Sequence, residues 1–318
     1  MYISIVQLEY VLALSTYGSF VAAAEHCHVT QPTLSMQLKK LEEELGVLLF
    51  DRSKQPLMPT DVGARIVEQA RVVLHEVSKI GEIVHESKGI IKGELNIGII
   101  PTLSPFLLPL FIGEFNRKYP GIQLHIQDLQ TEEILGKIKK DQLDVGILVT
   151  PTRDPAVQEK PVFYEEFYAY LDESLVKERK GNSIEMEEML QNRLWMLEEG
   201  NCFRNQTFNL CGLNQLQFKD LKFRYESGNL HTLIKMVDRE GGITLIPQLA
   251  SFDLHEKRRE QLRFIGRNHP VREVSLVYSR KFAKIGLIRK LEEEILKNLP
   301  QEVLGNSADN IVEIYAVK

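Results

Sequence analysis

Residues 19–52 read SFVAAAEHCHVTQPTLSMQLKKLEEELGVLLFDR, and the way this stretch folds decides the architecture of the whole N-terminal part. Ser19 is placed to cap a helix over FVAAAEHCH, Val29 and Thr30 form a short turn, and QPTLSMQLKKLEEEL follows at helical spacing. Pro32 falls in the first turn of that second helix, where a missing N–H costs nothing, and Gly46 stands where a left-handed terminator belongs. Upstream, Val6, Leu8, Val11, Leu12 and Leu14 give 5–17 the apolar face of a further helix. Downstream, VLLFDRSKQPLMPTDVGARI (47–66) reads as strand, basic turn and strand. The order is that of a winged helix-turn-helix, although three short amphipathic helices can also form a plain bundle.

In a winged module the start of the second motif helix enters the major groove, where short polar side chains reach base edges and cations hold phosphates. That makes Gln31, Thr33, Ser35 and Gln37 the candidate readers, with Lys39 and the wing residues Arg52, Ser53 and Lys54 as backbone anchors. Residues 1–90 carry eight Lys and Arg against eleven Asp and Glu, so any DNA binding must come from a local arrangement of donors, not from bulk charge.

The paired alanines of the first motif helix, T-Q-P-T-L-S opening the second, and E-E-E-L-G-V-x-L-F-x-R closing the module closely resemble the signature of LysR-type transcriptional regulators. Met36 stands where that family frequently has Arg, which removes one familiar contact. The resemblance implies promoter DNA as partner, a homodimer built on a linker helix, a homotetrameric assembly, and RNA polymerase as a further candidate partner.

From Thr60 to Lys88, Ile66, Ala70, Val73, Val77, Ile80 and Val84 recur at alternating steps of four and three, a heptad seam suited to pairing with a second copy; the alternative is a helix lying on its own domain. After GIIKG the period changes. ELNIGII, IQLHIQDL and LDVGILV read as strands alternating with helices FLLPLFIGEFNRKYP and EEILGKIKK, the pattern of βαβ units on a parallel sheet. A second set follows in FYAYL, RLWML, FKDLKFRYE, LHTLIKMVDREGGITLIP and VSLVYS. By the family resemblance this is a two-lobed α/β effector domain resembling periplasmic binding proteins. The expected division is 1–60 for the winged helix-turn-helix, 61–90 for the linker and dimerisation helix, 91–302 for the sensor with its second lobe at about 165–267, and 303–318 for a tail. That tail can pair as an edge strand or hang free.

Cys202 and Cys211 lie nine positions apart in LEEGNCFRNQTFNLC. Two readings compete: small buried hydrophobes, the usual fate of free cysteine, or a thiol pair that reacts. Arg204 would lower the pKa of Cys202 and raise its reactive thiolate fraction, while Glu198 and Glu199 would act the other way if they point inward. A helix over this span would set the two Cα atoms roughly 13 Å apart, whereas a disulfide needs about 4.4–6.8 Å. Closing the bond would then require local refolding.

NIGIIPTLSPFLLP, Gln130-Thr131, LEEGNCFRNQTFNLC and GGITLIP at 241–247 together make the chain similar to the hydrogen peroxide-sensing OxyR branch of the LysR family, over nearly its whole length. That resemblance implies Cys202 as the cysteine that peroxide attacks and Cys211 as the one that resolves it. It also implies Thr102 and Thr131 as pocket hydroxyls; by their place beside Cys202, Arg204 and the hydrogen-bonding side chains of Asn201 and Gln206 are candidate supports. Asn201 replaces a His found in some relatives, shifting proton transfer toward solvent or Thr102.

With 318 residues of which 43% are hydrophobic, there is material for two or three globular domains. The first residues lack a secretion signal and no run approaches the roughly 20 apolar residues of a membrane span, so the expectation is a cytoplasmic protein without membrane contact. His26, Cys27 and His28 are adjacent on a helix and cannot converge on one ion, so no metal and no cofactor is expected. The function expected is redox-controlled transcription of oxidative-stress genes, not enzymatic turnover. The alternatives are a LysR-type regulator with inert cysteines and a small organic effector between its lobes, and a thiol peroxidase with an appended DNA module.

Overall fold

The structure is a computed structural model and describes residues 2–87, 91–178, 181–198, 201–211, 226–227, 229–280 and 284–314. Two compact units divide at residue 90.

The first unit is built as its punctuation dictates. Helix α1 (Ile5–Tyr17) starts in a capping box, in which Ser4 Oγ accepts from Gln7 N while the Gln7 side chain accepts from Ser4 N. Helix α2 (Phe20–His26) begins after Ser19, but the Ser19 hydroxyl makes no capping hydrogen bond, contrary to the role its position suggests. Helix α3 (Gln31–Leu45) is capped by Thr30, whose hydroxyl accepts from Thr33 N, and ends at Gly46 with φ of 69°. The wing is shorter than its sequence suggests: β1 (Phe50–Asp51) pairs antiparallel with β2 (Met58–Pro59) over two residues each. The carboxylate of Glu42, buried on α3, holds the wing's base by accepting from Leu49 N and from Arg52 Nη2.

Helix α4 (Asp61–Ser87) shows why the linker helix cannot be assigned to one role from its pattern. Its first turns, through Val67 and Ala70, close the same core as Val11, Leu14, Leu34, Leu38 and Leu41. Further along, Val73, Ile80 and Val84 are exposed. Gly63 fixes the join, because a Cβ there would lie 1.9 Å from the Leu49 carbonyl oxygen.

The second unit is organised by one mixed ten-stranded sheet. Strands β3 (Gly93–Ile99), β4 (Ile122–Asp128) and β5 (Val145–Thr150) are parallel, joined through α5 (Ser104–Lys118) and α6 (Thr131–Lys139). The expected parallel arrangement holds for these three strands, and two long antiparallel strands run through the middle of the sheet. Strand β6 (Val157–Leu171) pairs with β12 (Val271–Ser279) along residues 157–166 and with β10 (Ile243–Pro247) along residues 167–171. One strand therefore belongs to both lobes, and the chain returns to the first lobe through β12. The second lobe adds strands β7 (Ser183–Ile184), β8 (Leu194–Leu197), β9 (Glu226–Ser227) and β11 (Leu262–Ile265) and helices α7 (Glu173–Glu178) and α8 (Met186–Leu190). The expected strand FKDLKFRYE lies outside the described residues except for Glu226, which opens β9. The tail is docked through residue 314. Ile311 bridges Val271 in parallel, and Val312 and Ile314 are buried. No helix among the described residues is long and apolar enough to cross a membrane.

Replacing Gly63 by Ala forces backbone apart at the Leu49 carbonyl, and should cost roughly 1–3 kcal/mol. Thermal unfolding of the full chain followed by helical ellipticity should show an earlier first transition; an unchanged first transition would contradict the packing described for α4.

Candidate functional site

Cys202 opens helix α9 (Cys202–Cys211), so the segment between the two cysteines is helical along its whole length. Asn201 starts it: its Oδ1 accepts from Phe203 N at 3.1 Å. Phe203, buried, stacks on Phe167 of β6 at 5.2 Å between centroids, which pins the first turn of α9 to the strand shared by the lobes. Cys202 itself is a free, buried cysteine.

The charge beside this thiol comes from a residue the sequence did not point to. Arg272, with no solvent exposure, sits on β12 directly across from Glu165 on β6. Its Nε donates to Glu165 Oε2 at 2.8 Å and its Nη2 approaches the same oxygen at 2.7 Å. Nη1 donates to Thr102 Oγ1 at 3.0 Å and Nη2 to the Thr102 carbonyl at 3.3 Å, and the guanidinium lies over the Phe203 ring at 5.2 Å. Glu165 Oε1 in turn accepts from Leu249 N at 2.7 Å. Thr102 thus presents its hydroxyl to the cation and keeps its own proton to donate.

The expected effect of Arg204 on the thiol is corrected here. Arg204 Nη1 donates to Leu197 O at 3.3 Å and its guanidinium covers Phe208 at 5.3 Å, while the cation acting on Cys202 is Arg272. The direction of the pKa is corrected as well. Burial pushes the Cys202 thiol above its ordinary value, and the Arg272 charge, the nearby Thr131 hydroxyl and backbone N–H groups offset this only in part. The Arg272 charge is shared with Glu165, so it offsets the burial of the thiol only in part. In this state Cys202 is a thiol held next to the groups that would stabilise its thiolate.

Of the other expected residues, Thr131 heads α6 and is buried, and apart from the thiol its hydroxyl has no partner. Asn201 Nδ2 is buried and unpartnered, and so is Gln206 Oε1. The Gln206 amide nitrogen is taken up by the tail, donating to Val312 O at 2.9 Å. Thr102, Thr131 and Cys202 are therefore brought into one neighbourhood through Arg272, whereas Arg204 and Gln206 point part or all of their donors elsewhere. Cys211 ends α9, and its side chain lies outside what is described. The signal for Arg272 in the sequence was faint: one Arg in the apolar strand VREVSLVYS, matched by the paired Glu of FYEEFY on another strand.

In the first unit, Gln31 is exposed and Ser35 half-buried on α3, the Thr33 hydroxyl shares a 2.8 Å hydrogen bond with Thr30, and Gln37 Oε1 accepts from Gln7 Nε2 at 3.4 Å. Lys39 is exposed and 3.6 Å from Glu43. Arg52 is tied to Glu42 at 2.9 Å and covers Phe20, and Ser53 donates to Asp51 at 2.6 Å, so both shape the wing, while Lys54 is exposed. Cys27 is half-buried and near Glu9, and burial raises its pKa. Among the described residues no group of His, Cys, Asp and Glu could hold a metal ion.

Residues 5–64 match the bacterial regulatory helix-turn-helix protein, lysR family, and residues 88–300 match the LysR substrate binding domain. The chain belongs to the LysR family of transcriptional regulators. A hydrogen peroxide-inducible genes activator of Pectobacterium carotovorum subsp. carotovorum is 34% identical over 92% of this chain and 95% of its own. The DNA-binding transcriptional dual regulator OxyR of Escherichia coli strain K12 is 35% identical over 85% and 88%. Among solved structures, a full-length OxyR variant from Pseudomonas aeruginosa superposes with a TM-score of 0.72 at 32% identity, covering 93% of this chain and 98% of that one. This LysR-type chain therefore carries both modules of its family in one sequence.

Because burial raises the Cys202 pKa, its thiolate fraction should keep rising with pH, about tenfold per unit, until the pH exceeds the ordinary thiol value of about 8.5. Alkylation of Cys202 by iodoacetamide, followed by peptide mass spectrometry from pH 6 to 9, should climb across that range; a plateau below pH 7 would mean a stabilised thiolate and contradict the site as described.

Proposed function

We propose that this LysR-type regulator senses hydrogen peroxide through Cys202 and converts oxidation into a change at promoter DNA. The observation that carries the reading is the buried Cys202 thiol beside the Arg272 guanidinium and the otherwise unpartnered Thr131 hydroxyl, at one end of a helix whose other end is Cys211. The relatives named for hydrogen peroxide-inducible genes support it.

Thiolate sulfur of Cys202 attacks one peroxide oxygen. The O–O bond breaks, its electron pair leaves with the second oxygen as hydroxide, and the proton given up by the thiol turns that hydroxide into water. Sulfur is left as sulfenic acid. Cys211 sulfur then attacks Cys202 sulfur; the S–S bond forms as the S–O bond breaks, and the hydroxyl leaves with the Cys211 proton as a second water. Two thiols are oxidised and one peroxide is reduced. Thr131 donates toward the departing oxygen, and Arg272, positioned by Thr102 and Glu165, stabilises the negative charge as it develops. Asn201 holds the start of α9.

Disulfide closure cannot leave α9 helical, since a helix holds the sulfur-bearing positions about 13 Å apart. The strain passes to the second lobe and from there to paired DNA-binding modules. In that assembly the exposed Val73, Ile80 and Val84 of α4 meet a second copy, two such dimers form a tetramer, Gln31 and Ser35 face base edges, and Lys39 and Lys54 hold phosphates. Thr33, Gln37, Arg52 and Ser53 support that surface. RNA polymerase is the partner that activation would engage, and the protein works in the cytoplasm as a regulator consumed once per signal, not as an enzyme.

One equivalent of hydrogen peroxide should remove two thiols per wild-type subunit and give a peptide joining residues 202 and 211, and should leave the remaining Cys211 thiol of Cys202→Ser intact. Unreacted thiols in folded wild-type protein would overturn the proposal and direct attention to an organic effector; sustained peroxide consumption with excess reductant would mark a peroxidase.

A further inference from the structure

The same face of α9 that begins with Cys202 continues, at helical steps of four and three, through Gln206 and Asn209. The amide nitrogens of both side chains reach the C-terminal tail. Gln206 Nε2 donates to Val312 O at 2.9 Å, and Asn209 Nδ2 donates to Glu313 O at 2.7 Å. On its other side this tail is fastened to the start of β12: Val312 N donates to Val271 O at 2.8 Å, Val271 N donates to Asn310 O at 3.1 Å, and Asn310 Nδ2 donates to Asn268 O at 2.6 Å. Val271 is the neighbour of Arg272, the cation that acts on the thiol. Arg153 forms an ion pair with Glu313, and Val312 and Ile314 are buried beneath the strap.

The tail is therefore read out by two amides that lie between the two cysteines. We propose that residues 310–314 are a redox-linked latch: they dock on α9 only while it is helical, and formation of the Cys202–Cys211 disulfide releases them. The inference rests on the disulfide chemistry proposed above, in which two thiols become one S–S bond and peroxide becomes two waters. Its physical basis is geometric. A disulfide brings the two Cα atoms within about 4.4–6.8 Å, and a helix that contracts to that span cannot keep Gln206 and Asn209 one turn apart and aimed at the same extended segment. Once both donors are lost, the tail loses its hold on α9 while its hydrogen bonds to Val271 and Asn268 and the Arg153–Glu313 pair remain, so the surface that Val312 and Ile314 cover is held less firmly. By linkage, a latch that binds the reduced form alone also resists oxidation, setting how strong a peroxide signal is needed.

The test is hydrogen–deuterium exchange on the full-length protein, reduced and after one equivalent of hydrogen peroxide, with the disulfide verified by mass in the same sample. Exchange in a peptide covering residues 308–314, which contains the Val312 amide, should accelerate at least tenfold on oxidation. A verified disulfide with unchanged exchange there overturns the latch and leaves the sensor chemistry standing; absence of the disulfide overturns both. Independently, Asn209→Ala removes one bond of the latch without touching either cysteine. It should shift the thiol–disulfide equilibrium against glutathione toward the disulfide by about fivefold, a midpoint lower by about 20 mV for a two-electron couple. An unchanged or higher midpoint in the folded variant would contradict the coupling.

Discussion

The buried pair between Arg272 and Glu165 is the interaction on which the sensor domain depends. Both side chains are fully buried, on strands that pass between the lobes, and each is bonded on more than one side. Arg272 reaches Thr102 before α5, and Glu165 reaches Leu249 N at the head of the short helix Gln248–Phe252. Phe203 of α9 is held between the Arg272 guanidinium and the Phe167 ring. One ion pair thus joins both long strands, the first lobe, a helix of the second lobe and the element carrying Cys202. Removing either partner would leave an uncompensated buried charge, which costs about 3–5 kcal/mol.

The arrangement explains how a thiol can be held in reserve. Arg272, paired with Glu165, lowers the Cys202 pKa by less than burial raises it, so burial decides and the pKa rises. A thiolate of higher pKa is also the stronger nucleophile once formed. Peroxide gives and accepts hydrogen bonds, which suits the spare Thr131 hydroxyl proposed to meet it. The same economy governs α9. Its sequence CFRNQTFNLC includes Asn205, Thr207 and Asn209, which are middling helix formers, so its helicity leans on Phe203 packing and on the tail instead of on intrinsic preference.

Much of the fold was legible where local chemistry speaks. The Thr30 cap, Pro32 in the first turn and Gly46 at the end bounded α3 at the residues observed. The period-two runs placed β3, β4 and β5. What was not legible was set by distant partners. Arg204 looked like the activating cation because it is two positions from Cys202, yet the helix turns it toward Leu197 O, and a residue 70 positions away takes that place. The parallel sheet expected from βαβ alternation is interrupted because β6 and β12 are long enough to serve both lobes. The tail NSADNIVEIYAVK carried no pattern that distinguished docking from freedom, since its anchor is a pair of side-chain amides on another element.

In the proposed chemistry peroxide strikes Cys202 Sγ, and this is tested by stopping the reaction at its first product. Cys211→Ser should be treated with one equivalent of hydrogen peroxide in the presence of dimedone and mapped by mass spectrometry. The account predicts a single dimedone adduct on Cys202, with Cys27 unmodified. Folded protein without an adduct at Cys202, or with the label on Cys27 instead, would contradict it.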